Sequence, residues 1–117
     1  MKPVNLCFMF HMHQPWYRDM RTGRYIMPWV RLHACKGYTD MAVLASRFPG
    51  ARYTVNLVPS LVEQLLEYAE GRATDSWREL TRKPAENMNM PERLFLLEHF
   101  FSVNRELHMP AGSRYRE

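Results

Sequence analysis

With 117 residues, 46% of them apolar and 24% charged, the chain has the make-up of one globular unit and excludes a disordered or collagen-like polymer. The 16 Lys and Arg against 12 Asp and Glu leave a net charge of +4, with arginines gathered between Arg18 and Arg31; this weakly favours anions, but no Arg-rich run, zinc-finger spacing or aromatic RNA-binding signature points to nucleic acid. No stretch reaches the roughly 18 apolar residues of a membrane span, and the short apolar run near the N-terminus has no cleavage site, so no membrane partner is expected and the location read from the sequence is cytoplasmic.

Residues 4–10 are an almost continuous apolar run, which predicts a strand buried on both faces, as in a parallel sheet. The run closes on Phe10-His11-Met12-His13-Gln14-Pro15. Residues two apart in a strand point to the same side, so His11 and His13 project together from the strand's end while Met12 packs behind them. Three polar side chains in four residues seldom end a core strand, so His11, His13 and Gln14 read as the lip of a site. An ordinary strand exit with solvated histidines is the competing reading. Residues 16–25 then read as a polar loop turning at Thr22-Gly23. Its Trp16 and Tyr17 are placed to stack on a sugar or a base, or equally to pack on their own scaffold.

Pro28 suits a first helical position, and the helix it opens sets Trp29 and His33 four apart on one face. The pattern runs on through Tyr38, Met41, Ala42, Leu44 and Ala45, weakened at Gly37, and stops at Pro49-Gly50. Residues 52–58 alternate as a second strand, with Asn56 polar near its end like the histidines. Pro59 and Ser60 open a helix whose stripe of Leu61, Val62, Leu65, Leu66 and Ala69 is expected in the core, ending at Gly71. Asp75 or Ser76 caps a short helix through Trp77 and Leu80, interrupted at Lys83-Pro84. A longer helix is predicted over residues 91–108, with Leu94, Leu97, Phe101 and Leu107 on one face and Met88 and Met90 as gap-fillers. All 12 acidic residues fall in loops or on predicted helix surfaces, Asp75 among the former and Glu67 among the latter, and none ends a strand. Cys7 and Cys35 form no short-range pattern and read as separate reduced thiols.

The order strand, helix, strand, then helices describes an α/β fold with a right-handed parallel crossover. Polar groups at the ends of both strands put a site at the carboxyl edge of the sheet, where such folds bind ligands. Two parallel strands leave both edges open and a face poorly covered. Residues 1–117, with no internal repeat and no linker, are therefore expected to be the opening β-α-β-α-α portion of something larger, apparently truncated.

Four blocks carry a more specific signal: His11-Met12-His13-Gln14-Pro15; residues 25–34, which include Trp29 and His33; Tyr38-Thr39-Asp40-Met41; and residues 56–65, from Asn56 to Leu65. In this order, and with Lys83-Pro84-Ala85-Glu86 and Arg114-Tyr115 beyond them, the chain resembles the amino-terminal part of glycoside hydrolase family 57 over nearly its whole length. The resemblance implies an incomplete seven-stranded β/α barrel acting on α-glucans, by hydrolysis or by transfer of glucan segments with retention of configuration. It implies that His13 lies beside the sugar at the point of cleavage with His11 beside it, and that Trp29 and His33 line the entrance. Gln14 and Asn56 complete the expected substrate-binding set. Gly37 stands where relatives often carry an acidic residue, a local departure that leaves the site intact.

Retaining glycosidases need two carboxylates about 5 to 5.5 Å apart. The family's nucleophile and acid/base belong to later regions, so no catalytic residue is expected here and the missing carboxy-terminal part of the barrel would supply them. Neither a cofactor nor a metal is required. Two other readings compete: a non-catalytic glucan-binding remnant, and a metal-dependent hydrolase using the His-x-His at the end of the first strand.

Overall fold

The computed structural model describes residues 3–109 and 111–114. The chain divides into two compact units, Met1–Ser76 and Trp77–Glu117.

In the first unit, β1 (Met9–Met12) pairs in parallel with β2 (Thr54–Leu57), with His11 opposite Asn56 and Met12 opposite Leu57. Thr54 N donates to the Phe8 carbonyl (2.9 Å) and Val58 N to the Met12 carbonyl (3.2 Å), so the ladder runs slightly past each end. The mixed helices and parallel pair make an α/β arrangement. The expectation of a strand over residues 4–10, buried on both faces, is corrected. The strand begins only at Met9, Val4 and Leu6 are 84% and 77% exposed, and of β1 only Met12 is buried. Among the described residues the sheet has two strands, with no further strand to cover the apolar run.

Between the strands lie α1 (Trp29–His33), a π-helical turn (Ala34–Tyr38) and α2 (Thr39–Arg47). Pro28, expected as the first helical residue, is instead the N-cap of α1, whose first residue is Trp29. The π-turn falls where Gly37 weakens the α-helical pattern, and Thr39 Oγ1 donates to the Ala34 carbonyl five residues back (2.6 Å). α3 (Pro59–Ala69) follows β2, with Pro59 in its first turn, where a missing N–H is harmless. Met12, Val30 and Leu61 form the core, surrounded by Tyr17, Tyr38, Met41, Val58, Leu65 and Tyr68. It joins β1, α1 and α3 directly beneath the strand ends.

The buried row of α3 is Leu61, Gln64 and Glu67, which corrects the expected apolar stripe; Leu66 is 52% exposed. What covers this row is the loop over residues 16–25, which needs polar partners. Gln64 Oε1 accepts from Tyr17 N (2.9 Å), and Gln64 Nε2 donates to the carbonyls of Pro15 (3.0 Å) and Ser60 (2.8 Å). A buried amide so satisfied holds the loop down, because each bond lost would leave a desolvated group unpaired. The turn at Thr22-Gly23 is present: Asp19 accepts from the backbone N–H of Arg21 and Thr22, and Gly23 adopts φ +69°, a left-handed conformation that glycine takes without strain.

Glu67 is buried, which corrects its expected place on a helix surface, and Asp75, outside the helices as expected, is buried as well. Glu67 accepts from Arg18 (3.0 Å) and from the Tyr25 hydroxyl (2.8 Å). Asp75 receives a two-pronged contact from Arg31 (2.9 and 3.1 Å) and a bond from the Tyr68 hydroxyl (3.1 Å). Arg18 and Arg31, part of the arginine excess, thus serve as internal counter-ions.

The second unit contains α4 (Ser76–Arg82), whose first residue is the boundary residue, a single 3-10 turn (Ala85–Asn87), α5 (Met90–His99) and α6 (Arg105–His108). The expected single helix over residues 91–108 is corrected to two. α5 starts at a capping box in which Asn89 and Glu92 exchange side-chain-to-backbone bonds, and α6 at Asn104, whose side chain accepts from Leu107 N (3.0 Å). A residue that caps a new helix does not continue the old one. The predicted apolar face is exposed at Leu94, Leu97, Phe101 and Leu107, and Met90, at 66% exposure, fills no gap. Cys7 and Cys35 are free thiols. Among the described residues no helix is long and apolar enough to cross a membrane. The Arg114-Tyr115 block lies partly outside the described residues.

Candidate functional site

The carboxyl ends of β1 and β2 bring His11 and Asn56 side by side. Parallel register sets them opposite one another, and His11 Nδ1 lies 2.9 Å from Asn56 Oδ1. His13, two residues on, has its ring centre 5.9 Å from that of His11, while Met12 between them turns into the core. The period of two expected at the strand exit is therefore realised, and both imidazoles are exposed to a ligand.

The segment after the histidines is fastened by α3. Ser60 Oγ donates to the Gln14 carbonyl (3.2 Å), and Gln64 holds the Pro15 carbonyl. The Gln14 side chain donates to the Tyr38 hydroxyl (3.4 Å), and the Tyr38 ring lies 6.0 Å from that of His33. This second group depends on the π-turn. Residues five apart in an α-helix are rotated by roughly 140°, but the wider π-helical turn returns the fifth residue to nearly the same side. Tyr38, which the sequence reading named in the helical pattern and at the head of one of the four blocks but not among the site residues, thus joins the candidate site.

Two groups result, His11–His13–Asn56 and Gln14–Tyr38–His33, from five of the six expected residues plus Tyr38. Trp29, 41% exposed at the start of α1, has no hydrogen bond or ring contact to either among the described residues. Neither group contains a carboxylate, a lysine or an arginine, and their imidazole, amide and phenol side chains can hydrogen-bond a polyhydroxylated ligand. The buried carboxylates Glu67 and Asp75 are taken up by their arginine and tyrosine partners. Among the described residues no three His, Cys, Asp or Glu side chains gather as a metal site would need.

The sequence model of Glycosyl hydrolase family 57 matches residues 7–110. The chain belongs to glycosyl hydrolase family 57. Comparison with curated proteins and with solved structures gave no match. In this glycosyl hydrolase family 57 chain the matched span takes in both strands, the two side-chain groups at their carboxyl ends and the helices that brace them.

Proposed function

We propose that this chain is the amino-terminal part of a retaining glycoside hydrolase or glucanotransferase acting on α-glucans, and that it contributes sugar-binding side chains without the catalytic carboxylates. The pairing of His11 with Asn56 across the carboxyl ends of two parallel strands carries the reading. In it β1 and β2 are the first strands of an incomplete seven-stranded β/α barrel, whose carboxyl edge is the usual place for a ligand. His11 and His13 hydrogen-bond glucan hydroxyls, and fixed dipoles there favour the positive charge that develops on the sugar ring. Gln14 and His33 extend the polar lining, and Trp29 offers an apolar platform at its edge. The two carboxylates of the retaining mechanism come from elsewhere in the protein.

A non-catalytic glucan-binding role is the second reading, favoured by the neutralised state of Glu67 and Asp75. Calorimetric titration of maltooligosaccharide into the chain tests the site. His13→Ala should weaken binding about tenfold, the loss of one good hydrogen bond. Unaltered affinity would remove His13 from the site. Release of reducing sugar by the 117 residues, abolished in His13→Ala, would decide against the non-catalytic reading.

A further inference from the structure

Asn56 stands where a direct sugar contact is expected, yet its amide oxygen is already engaged at 2.9 Å by Nδ1 of His11. A neutral imidazole has one N–H and one bare lone pair, and the partner of one nitrogen decides the state of the other. An acceptor at Nδ1 requires the proton there, which leaves Nε2 as a lone pair. The strand pairing makes this arrangement hard to avoid. Asn56 and His11 are opposite each other in parallel register, and Met12, the next residue, is locked in the core. With the backbone pinned on both sides, His11 is held beside the amide and turns its other nitrogen away from it, with the His13 ring centre 5.9 Å from its own.

We propose that Asn56 is a positioning residue: by accepting a hydrogen bond from Nδ1–H of His11 it keeps the proton on Nδ1 and presents Nε2 as a hydrogen-bond acceptor to a hydroxyl of an α-glucan. The second half rests on the sugar-binding reading above; the first half does not. The ligand group recognised by His11 is then a hydroxyl acting as donor, so a glucan methylated at that oxygen should lose the contact. Asn56 itself need not touch the sugar.

Long-range proton–nitrogen NMR correlation on the ring nitrogens of the whole chain reads the tautomer of neutral His11 directly. The expected result is a protonated Nδ1 in the wild type and in Asn56→Asp, whose carboxylate also accepts, and a shift toward protonated Nε2 in Asn56→Ala. At a pH where NMR shows the His11 ring neutral in each variant, maltooligosaccharide affinity should follow the tautomer, falling roughly tenfold in Asn56→Ala and being largely restored in Asn56→Asp. A wild-type His11 carrying its proton on Nε2 overturns the positioning role whatever binds. Equal loss of binding in both variants, with the tautomer kept in Asn56→Asp, also overturns it in favour of direct contact through the amide. Protonated Nδ1 together with no glucan binding by the wild type supports the positioning role and sinks the sugar reading alone.

Discussion

The side chains that hold the first unit together are two buried carboxylates and their partners. Asp75, wholly buried, receives both prongs of Arg31, whose side chain is 24% exposed. Truncating one member of such a pair strands the other charge. Asp75→Ala should therefore lower stability by roughly 3 kcal/mol, at the low end for a buried pair because Arg31 keeps some contact with water. Urea unfolding checks this, and a change under about 1 kcal/mol would mark the pair as a surface bridge in its energetics. The tyrosines on these carboxylates give an alkaline signature. Burial, then the hydrogen bond to Glu67, pushes the Tyr25 phenol up, and burial, then the Asp75 charge, does the same for Tyr68. Each folded value lies above the ordinary 10.0, so the stability they contribute is complete below pH 10.0 and is lost as the pH climbs from there toward the raised values. Phenolate absorbance should show a late phase that Tyr25→Phe and Tyr68→Phe each diminish; a titration complete near pH 10.0 would contradict it. Neither carboxylate was legible in the sequence, because Glu67 lies 49 residues from Arg18 and Asp75 lies 44 from Arg31.

Helix α5 is set by its first turn. Asn89 and Glu92 close the capping box, and Lys83 places its ammonium 2.7 Å from the same carboxylate. The Lys83 hydrogen bond, followed by the Asn89 backbone N–H, holds the Glu92 carboxyl below its ordinary value of 4.5. Because the folded value is depressed, this contribution is complete above pH 4.5 and disappears as the pH falls through the lower folded value. Amide exchange at Glu92 should accelerate in that acid window and, at neutral pH, in Asn89→Ala, where the lost cap is worth about 1 kcal/mol. Protection unchanged by both would show that the cap does not govern the helix start. The second strand was legible at this scale from the alternation of Tyr53, Val55 and Leu57, whereas the first began five residues later than its apolar run. The π-turn was not, since a glycine in a helical pattern signals weakness without saying how the chain accommodates it.

On the scale of the molecule, many large apolar side chains are exposed. Val4, Leu6 and Met9 are each more than 70% exposed, and among the described residues neither outer edge of the parallel pair has a partner strand. Such edges and patches seek further strands or further chains. The isolated 117 residues should therefore bind an apolar dye strongly and self-associate as concentration rises in sedimentation, with Val4→Lys reducing both. A monodisperse, dye-silent chain would mean that these faces are tolerated in water.

Local pattern alone determined the second strand, the helix that starts at Pro59, the turn at Thr22-Gly23 and the convergence of His11 and His13, because period two, a fixed proline φ and a glycine turn act over a few residues; the bounds of the first strand it did not determine. The four ordered blocks were enough for the family. Tertiary structure decided the rest: Asn56 as the partner of His11, Tyr38 between Gln14 and His33, and the burial of Gln64, Glu67 and Asp75. Those outcomes turn on which polar groups meet across 24 to 49 residues of chain. Whether a polar side chain can leave water depends on the partners it finds, and those lie outside any local window.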